Sequence, residues 1–475
     1  MRGDWAKMDV HVSLTGRGDL AAQIYRQLLD AILDGRLRSG ERLPPTRELA
    51  HRLRVSRNTV AVAYDRLVAD GFLIGRAGAG TFVSGEPVRG RAAPKGVVRP
   101  RPVWSTIPEP APRPGPVPYD FRAGVPDRRL FPIATWRRLV AGELRRAPAG
   151  YGDPSGHEGL REAIARHLGV SRSVRASAAD VLITSGAQQA LDLVGRVLIE
   201  PGACVAVEEP GYPPARELFR SLGARVIGVP VDGEGLDVTA IPDAARLVYV
   251  TPSHQFPLGT PMSLARRATL LAWAERRQAV VIEDDYDSEF RFGDRPLEPL
   301  QSLDRAGRVV YVGSFSKTLL PMLRLGFLIA PASLGPALRA AKRLADWHGE
   351  LPTQAALARF IDEGLLARHI RKATRVYAAR HAMIADALAR DDRLRPVPSA
   401  AGLHLCARLA PGLSVRERDG LRVERLEAYC GETPAQLGLV IGYGAIHEEA
   451  VPAGLRLLRA SVVPAAPEPA RTILL

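Results

Sequence analysis

Only three of the 475 residues are cysteine, and aromatic side chains make up 6%. Cys204, Cys406 and Cys430 have neither metal-ligand nor disulfide-framework spacing, which excludes a small stapled fold and suits a reducing cytoplasm. No apolar run is long enough to cross a bilayer, and the opening Met-Arg-Gly-Asp-Trp-Ala-Lys is too polar for a secretory signal. The expectation is a cytoplasmic protein with one large core and at least one smaller domain, not associated with membrane. Acidic residues are in deficit, 51 against 65 basic ones, for a net charge of +14 and a pI near 10.1. The deficit is uneven: residues 1–84 hold 13 Lys/Arg against 9 Asp/Glu, and residues 85–118 hold 6 against 2. A polyanion partner for the N-terminal part would account for this. So would a GC-rich genome that spells arginine for lysine, and charge does not separate the two.

The first 84 residues read as a small basic domain, expected over 12–84. Leu20, Ile24, Leu28, Ala31 and Ile32 recur with helical period from Leu20 to Leu33, and Gly35 and Gly40 follow. Leu43-Pro44-Pro45 makes a rigid turn, with Thr46 expected to cap a second helix, Arg47 to Leu53. Ser56 caps a third, from Arg57 to about Asp70, with Val60, Tyr64, Leu67 and Val68 facing inward. Phe72-Leu73-Ile74 and Thr81-Phe82-Val83 form a hairpin around Gly78-Ala79-Gly80. Three helices and a hairpin outline a winged helix-turn-helix. Arg57, Asn58 and Thr59, at the start of the third helix, suit base readout in a major groove. Arg47 suits a phosphate contact, and Gly78 and Gly80 let the wing backbone approach a minor groove.

Residues 85–118 are rich in proline and arginine without apolar period, which predicts an extended, fairly stiff linker. From 119 to 475 strands and helices alternate, which predicts an α/β fold with a mainly parallel sheet. Ligands bind at the carboxyl ends of strands in such sheets. Five strand ends carry chemistry. Val181 to Thr184 runs into Ser185-Gly186-Ala187-Gln188, whose free N–H groups at a helix start suit a phosphate. Cys204 to Glu208 leads to Tyr212, a ring to stack on a flat ligand. Arg246 to Val250 leads to Thr251-Pro252-Ser253-His254-Gln255-Phe256-Pro257. Ala279 to Glu283 ends in Asp284-Asp285-Tyr286-Asp287, and Arg308 to Gly313 ends in Ser314-Phe315-Ser316-Lys317, with Arg324 beyond. A dry lysine can form a Schiff base, and serines with an arginine can hold phosphate. An amine, a phosphate cradle, a stacking ring and a carboxylate for a pyridine nitrogen are what pyridoxal 5'-phosphate requires.

The segments Leu43 to Ala50, Val55 to Val60 and Leu67 to Leu73 resemble the DNA-binding domain of GntR-type transcription regulators over about Leu20 to Val83. Tyr151-Gly152-Asp153-Pro154-Ser155-Gly156, the Ser185 to Gln188 turn, Asp284-x-Tyr286 and Ser314-x-Ser316-Lys317 with Arg324 resemble fold-type I aminotransferases. The combination is similar to the MocR subfamily of GntR regulators across nearly the whole chain. That resemblance implies an N-terminal winged helix-turn-helix and an aminotransferase-like domain with a smaller lobe from about 346 to 475. Arg47, Ser56, Arg57, Asn58, Thr59 and the wing glycines would face double-stranded DNA. Lys317 would form the Schiff base, Asp284 would pair with the pyridine nitrogen, Tyr286 would touch the ring oxygen, and Tyr212 would stack. Ser185, Gly186, Ala187, Ser314, Ser316 and Arg324 would hold the phosphate. A homodimer reading two half-sites is implied, with an effector that is pyridoxal phosphate itself or an amino compound.

Two departures bear on turnover. Aminotransferases usually show Asn-Pro-x-Gly where this chain has Phe256-Pro257-Leu258-Gly259, so the asparagine's contact falls to His254 or Gln255 or is absent. They also clamp the substrate carboxylate with a late arginine, whereas Leu439 to Gly444 contains none and the next is Arg456. A regulator that senses through its cofactor site is the expectation. A working aminotransferase with an accessory DNA-binding domain is the alternative.

Overall fold

The computed structural model describes residues 12–14, 19–84, 98–109, 115–146, 149–293, 298–431 and 435–465. The chain divides into two compact units, residues 1–100 and 101–475. Much of the expected linker, 85–97 and 110–114, lies outside the described residues. Beyond the division, Arg101 donates to the Ser221 carbonyl of the larger unit at 3.0 Å.

In the smaller unit α1 (Leu20–Leu33) buries Ile24, Leu28, Ala31 and Ile32, and Asp19 caps it by accepting from the Ala22 N–H. The second helix, α2 (Thr46–Leu53), begins one residue earlier than expected. Pro45 occupies the cap position without a side-chain bond, and Thr46 is already helical. Proline's fixed φ sets the chain's entry, so no hydroxyl cap is needed. Arg54, at φ +54°, closes α2 and makes the tight turn into α3 (Arg57–Ala69), which Ser56 caps through the Thr59 N–H at 3.1 Å. Val60, Ala63, Tyr64 and Leu67 form its inner stripe. Val68, expected inside, is 43% exposed, because the 3.6-residue turn gives the stripe to Ala63. The strands β1 (Leu73–Arg76) and β2 (Gly80–Val83) pair antiparallel, with buried Leu73 opposite buried Val83.

The larger unit opens with β3 (Tyr119–Phe121). Its main sheet comprises β4 (Val181–Thr184), β5 (Cys204–Glu209), β6 (Arg225–Asp232), β7 (Gly235–Leu236), β8 (Ala245–Val250), β9 (Val280–Asp285), β10 (Val309–Ser314) and β11 (Gly326–Ile329). The order is β4-β11-β10-β9-β8-β5-β6-β7, and the run from β10 through β6 is parallel. β11 is antiparallel to both neighbours, and β7 is a short antiparallel edge. The central strands are buried on both faces, which is why they read as continuous β-branched runs. On β10, Val310 and Val312 enter one hydrophobic cluster while Val309 and Tyr311 enter others, as a two-residue period requires. Asp284 sits opposite Val312, and Glu283 opposite Val250, so the carboxyl ends of β8, β9 and β10 lie side by side.

The late strands β12 (Leu394–Pro396), β13 (His404–Leu409), β15 (Leu421–Arg425) and β16 (Gly438–Gly442) form a second sheet, while β14 (Leu413–Val415) pairs with β17 (Val462–Pro464). β3 joins the second sheet beside β15, in parallel, returning the start of the unit to its end. The helix Leu365–Leu388 covers it with Ala373, Tyr377, Ile384 and Leu388. The residues from Asp120 to Leu144 divide between the main sheet and this lobe. Only β3 enters its sheet: the helix Ile133–Leu144 packs Trp136 and Leu139 with Phe360, Tyr311 and Phe315 in a cluster of the main sheet. The aromatic face of that helix finds its partners in the helix Leu351–Asp362, with Trp136 and Phe360 rings 5.8 Å apart.

Beneath the strand ends, Arg172 is buried against Asp285 at 2.9 Å and donates to the Ser253 hydroxyl at 2.7 Å. Tyr311 donates to the same Asp285 oxygen. Burial would raise the Asp285 carboxyl, but Arg172 and the Tyr311 hydroxyl hold it below the usual carboxylate range. Removing one partner of such a pair strands the other charge. Arg172→Met is expected to cost about 3–5 kcal/mol in equilibrium urea unfolding, and a loss under about 1 kcal/mol would overturn this account of the sheet's polar anchor.

Candidate functional site

The turn after β10 carries Ser314, Phe315, Ser316 and Lys317, and the Ser316 N–H donates to the Ser314 hydroxyl at 3.1 Å. Lys317 Nζ donates to the Gly124 carbonyl at 2.8 Å. Gly124 lies in the loop after β3, at φ +69°, and a Cβ there would come within 2.5 Å of the lysine nitrogen. A side chain at 124 would displace the amine. Burial pulls Lys317 below its ordinary value, opposed by the carboxylates of Asp287, Asp284 and Glu424.

Asp284 accepts from the Tyr249 hydroxyl through Oδ2 at 2.8 Å, while its Oδ1 is buried with no hydrogen-bond partner. Burial pushes its carboxyl up to about 7, with the Tyr249 bond and Lys317 acting the other way. An unpartnered buried acceptor is costly unless a ligand donor completes it. Tyr249 was missed by reading strand ends alone, since it stands one residue inside β8. Tyr286 lines the same cavity, and its hydroxyl lies 3.0 Å from His254 Nδ1. His254 is held by Asp287 at 3.0 Å and by Ser399 at 3.1 Å. Gln255 donates to the Pro210 carbonyl at 2.9 Å and to Glu208 at 3.3 Å. Neither His254 nor Gln255 is among the cavity-lining residues, and Phe256 is. The internal network satisfies both polar chains, leaving an apolar ring at the position the asparagine was expected to vacate. Phe256 meets Tyr212 edge-on, ring centres 5.7 Å apart, and Tyr212 also lines the cavity.

At the other end, Arg324 at φ +51° donates to the Ser185 carbonyl at 2.6 Å. Gly186, at φ +81°, makes room for it: a Cβ would stand 2.8 Å from the guanidinium. The helix Ala187–Leu198 starts there, and Ala187 and Gln188 line the cavity. Ser185 does not line it. Its N–H donates to Gln189 Oε1 at 2.8 Å, and the residue faces a neighbouring cavity of about 710 Å³ with Arg137 and His348. Gly186 likewise acts through Arg324 rather than by lining the cavity. The main cavity, about 600 Å³, thus gathers Ala187, Tyr212, Asp284, Tyr286, Ser314, Ser316, Lys317 and Arg324. Among the described residues that line it, Arg324 is the only arginine. At the late strand, buried Val440 stands opposite Glu424, which also lines the cavity.

On the smaller unit Arg47, Ser56, Arg57 and Asn58 are exposed. Thr59 is half-buried, its hydroxyl 2.8 Å from that of Ser56, so these two side chains hold the helix start as well as facing outward. Gly78 and Gly80 are exposed at the hairpin tip with φ of +72° and +114°. Arg42 and Arg76 flank the wing over the Phe82 ring, at 6.0 and 5.0 Å from its centre. Arg76 was within reach of the sequence, facing Phe82 across the hairpin, whereas Arg42 comes to the ring only through the fold.

The fold and cavity define a winged helix carried on one chain with a domain of the fold-type I aminotransferase kind. Residues 20–83 match the family model "Bacterial regulatory proteins, gntR family", and residues 128–428 match "Aminotransferase class I and II". The chain is 38% identical over 461 residues to the probable rhizopine catabolism regulatory protein MocR of Rhizobium meliloti, spanning 92% of this chain and 93% of that one. It is 33% identical to the pyridoxine biosynthesis transcriptional regulator PdxR of Corynebacterium glutamicum, over 90% and 93%. The solved structure of the α-aminoadipate aminotransferase LysN from Thermus thermophilus, complexed with N-(5'-phosphopyridoxyl)-L-leucine, superposes with a TM-score of 0.67 at 30% identity, covering 73% and 92%. The Pyrococcus horikoshii kynurenine aminotransferase, in complex with PMP, gives 0.66 at 27% identity, covering 72% and 90%. The chain belongs to the MocR-type transcription regulators of the GntR family, with an aminotransferase-like domain. Among the described residues no helix is long and apolar enough to cross a membrane.

Burial also pushes Glu208 and Glu283 up to about 7 and Glu289 to about 8. With Asp284, these acids hold protons more tightly folded than unfolded. Their contribution is complete below the ordinary carboxylate range and is lost as pH rises through about 7 to 8. Burial pulls His167, His369, His381 and His404 down, which acts the opposite way up to about 6.5. Thermal melting of the cofactor-free chain should therefore fall as pH is raised from about 6.5 to about 8, and a rise over that interval would contradict the buried-acid geometry.

Proposed function

We propose that this regulator binds pyridoxal 5'-phosphate through a Schiff base to Lys317 and senses pyridoxal phosphate or an amino compound there. One observation carries the reading: Lys317, drawn toward its neutral form, shares a cavity with Asp284, whose Oδ1 is buried and unpartnered. The cofactor, when bound, supplies an aldehyde for the lysine and a pyridine ring that withdraws electrons. Asp284 Oδ1 accepts from the ring nitrogen, with Tyr249 orienting the carboxylate. Tyr212 stacks on the ring and Tyr286 reaches its oxygen. Arg324, Ser314, Ser316 and the Ala187 N–H at a helix start hold the phosphate, and Ser185 and Gly186 position Arg324.

Little or no transamination is expected, because among the described residues lining the cavity no guanidinium besides Arg324 stands ready to fix a substrate carboxylate for proton transfer. The protein acts in the cytoplasm as a homodimer. Residues 12–84 bind promoter half-sites, 85–118 tether them, and 119–475 bind the effector. Arg57 and Asn58 read bases, with Thr59 and Ser56 beside them, while Arg47 and the wing around Gly78 and Gly80 meet the backbone.

Lys317→Ala is expected to abolish the visible absorption band formed with pyridoxal phosphate and ligand-dependent control of the promoter, with DNA binding retained. Full ligand response in that variant would sink the proposal. Arg57→Ala should cost about 1–3 kcal/mol and relax specificity at one position, whereas Arg47→Ala should weaken all sequences alike and lower the salt slope by about 1. Equal losses on specific and random duplexes for both variants would refute the assignment.

A further inference from the structure

Resting on the reading of the Lys317 cavity as an amine sensor, we propose that its effector is a primary amine whose far end is a cation or hydroxyl donor, not an acid, and that Glu424 selects it. The cavity's charged lining groups are Lys317, Arg324, Asp284, Glu217 and Glu424. Arg324 stands at the Ser185 carbonyl beside a helix start, the phosphate end of the proposed site. Lys317 is held at Gly124, and the next residue back, Ala123, donates its N–H to Glu424 Oε2 at 3.0 Å. Glu424 therefore faces the part of a ligand that extends from the lysine away from the phosphate end.

Its orientation is set by the Tyr429 hydroxyl, which donates to the same oxygen at 2.8 Å. A carboxylate offers about four lone-pair directions, so acceptor capacity is left for a ligand. Among the described residues that line the cavity, the only cations are Lys317 and Arg324, both already assigned to the amine and phosphate ends. Val440, opposite Glu424 on β16, is fully buried and apolar. Arg422, on Glu424's own strand, and Arg122, just after β3, both engage Asp120, at 3.5 and 2.6 Å. A ligand carboxylate would meet the like charge of Glu424, while a second amine or hydroxyl would meet an acceptor.

The test titrates full-length protein with pyridoxal phosphate against butane-1,4-diamine, butylamine and 4-aminobutanoate, which share a four-carbon chain and differ at the far end. The shift of the visible band is the readout. The diamine is expected to half-saturate at least tenfold below butylamine, with 4-aminobutanoate weakest. Glu424→Gln should erase the diamine's advantage and narrow the gap to 4-aminobutanoate. A wild-type protein that prefers 4-aminobutanoate overturns the proposal while leaving the sensor reading intact, and so does a Glu424→Gln variant with unchanged ranking. Absence of any band with pyridoxal phosphate overturns both. The wild-type ranking decides by itself if the variant does not fold.

Discussion

A carboxylate is buried at the end of β9 with one oxygen on a tyrosine and the other on nothing. That unsatisfied acceptor constrains everything near it. Desolvation makes Asp284 reluctant to ionise and Lys317 reluctant to protonate, and each group's charge opposes the other's shift. A ligand that brings a donor to the acid and an electrophile to the amine relieves both costs at once. The adjoining Asp285 shows the opposite solution. It is as deeply buried, yet Arg172 and Tyr311 keep it charged. Neighbouring aspartates on one strand thus divide into an anchor that faces away from the cavity and a binder that faces it, as strand alternation dictates.

The architecture around this pair combines a cradle of the kind proposed for the cofactor with a wall that carries an acid, Glu424. Gly124 and Gly186 clear space for Lys317 and Arg324. Where a substrate carboxylate would seek a guanidinium, the late strands present Val440 and Glu424. On the proposed reading such a domain keeps groups suited to a pyridoxal ring, and among the described residues lining the cavity no guanidinium besides Arg324 stands ready for an amino acid's carboxylate. That suits a chain whose relatives are regulators better than one that must turn over substrate.

Much of the site was legible because its residues lie where strands stop. Lys317, Tyr212 and the Ala187 helix start follow apolar runs closed by glycine or proline, and Asp284 stood out as the first of an acidic cluster ending one. Tyr249 and Glu424 were not legible: each sits inside a strand, with neighbours no different from those of a packing residue. Ser185 was misjudged for a related reason. Its N–H looks free from the chain alone, and only the folded helix turn brings Gln189 to it. Val68 was read as inward because it borders the stripe of Val60, Tyr64 and Leu67, whereas the 3.6-residue turn places Ala63 there instead.

By itself, the sequence determined the two-part organisation, the winged helix with Ser56 as cap, the mainly parallel α/β sheet and the gathering of Lys317, Asp284, Ser314, Ser316 and Arg324 near strand ends. These follow from local rules: capping chemistry, hydrophobic period and the low tolerance of buried strands for polar residues. Tertiary structure alone decided which acid is anchored and which is left open. It also decided that the loop after β3 brings Gly124 back to Lys317, and that Glu424 faces the same cavity. Those outcomes depend on the pairing of β3 with β15 across some 300 residues of chain, a register that no local pattern encodes.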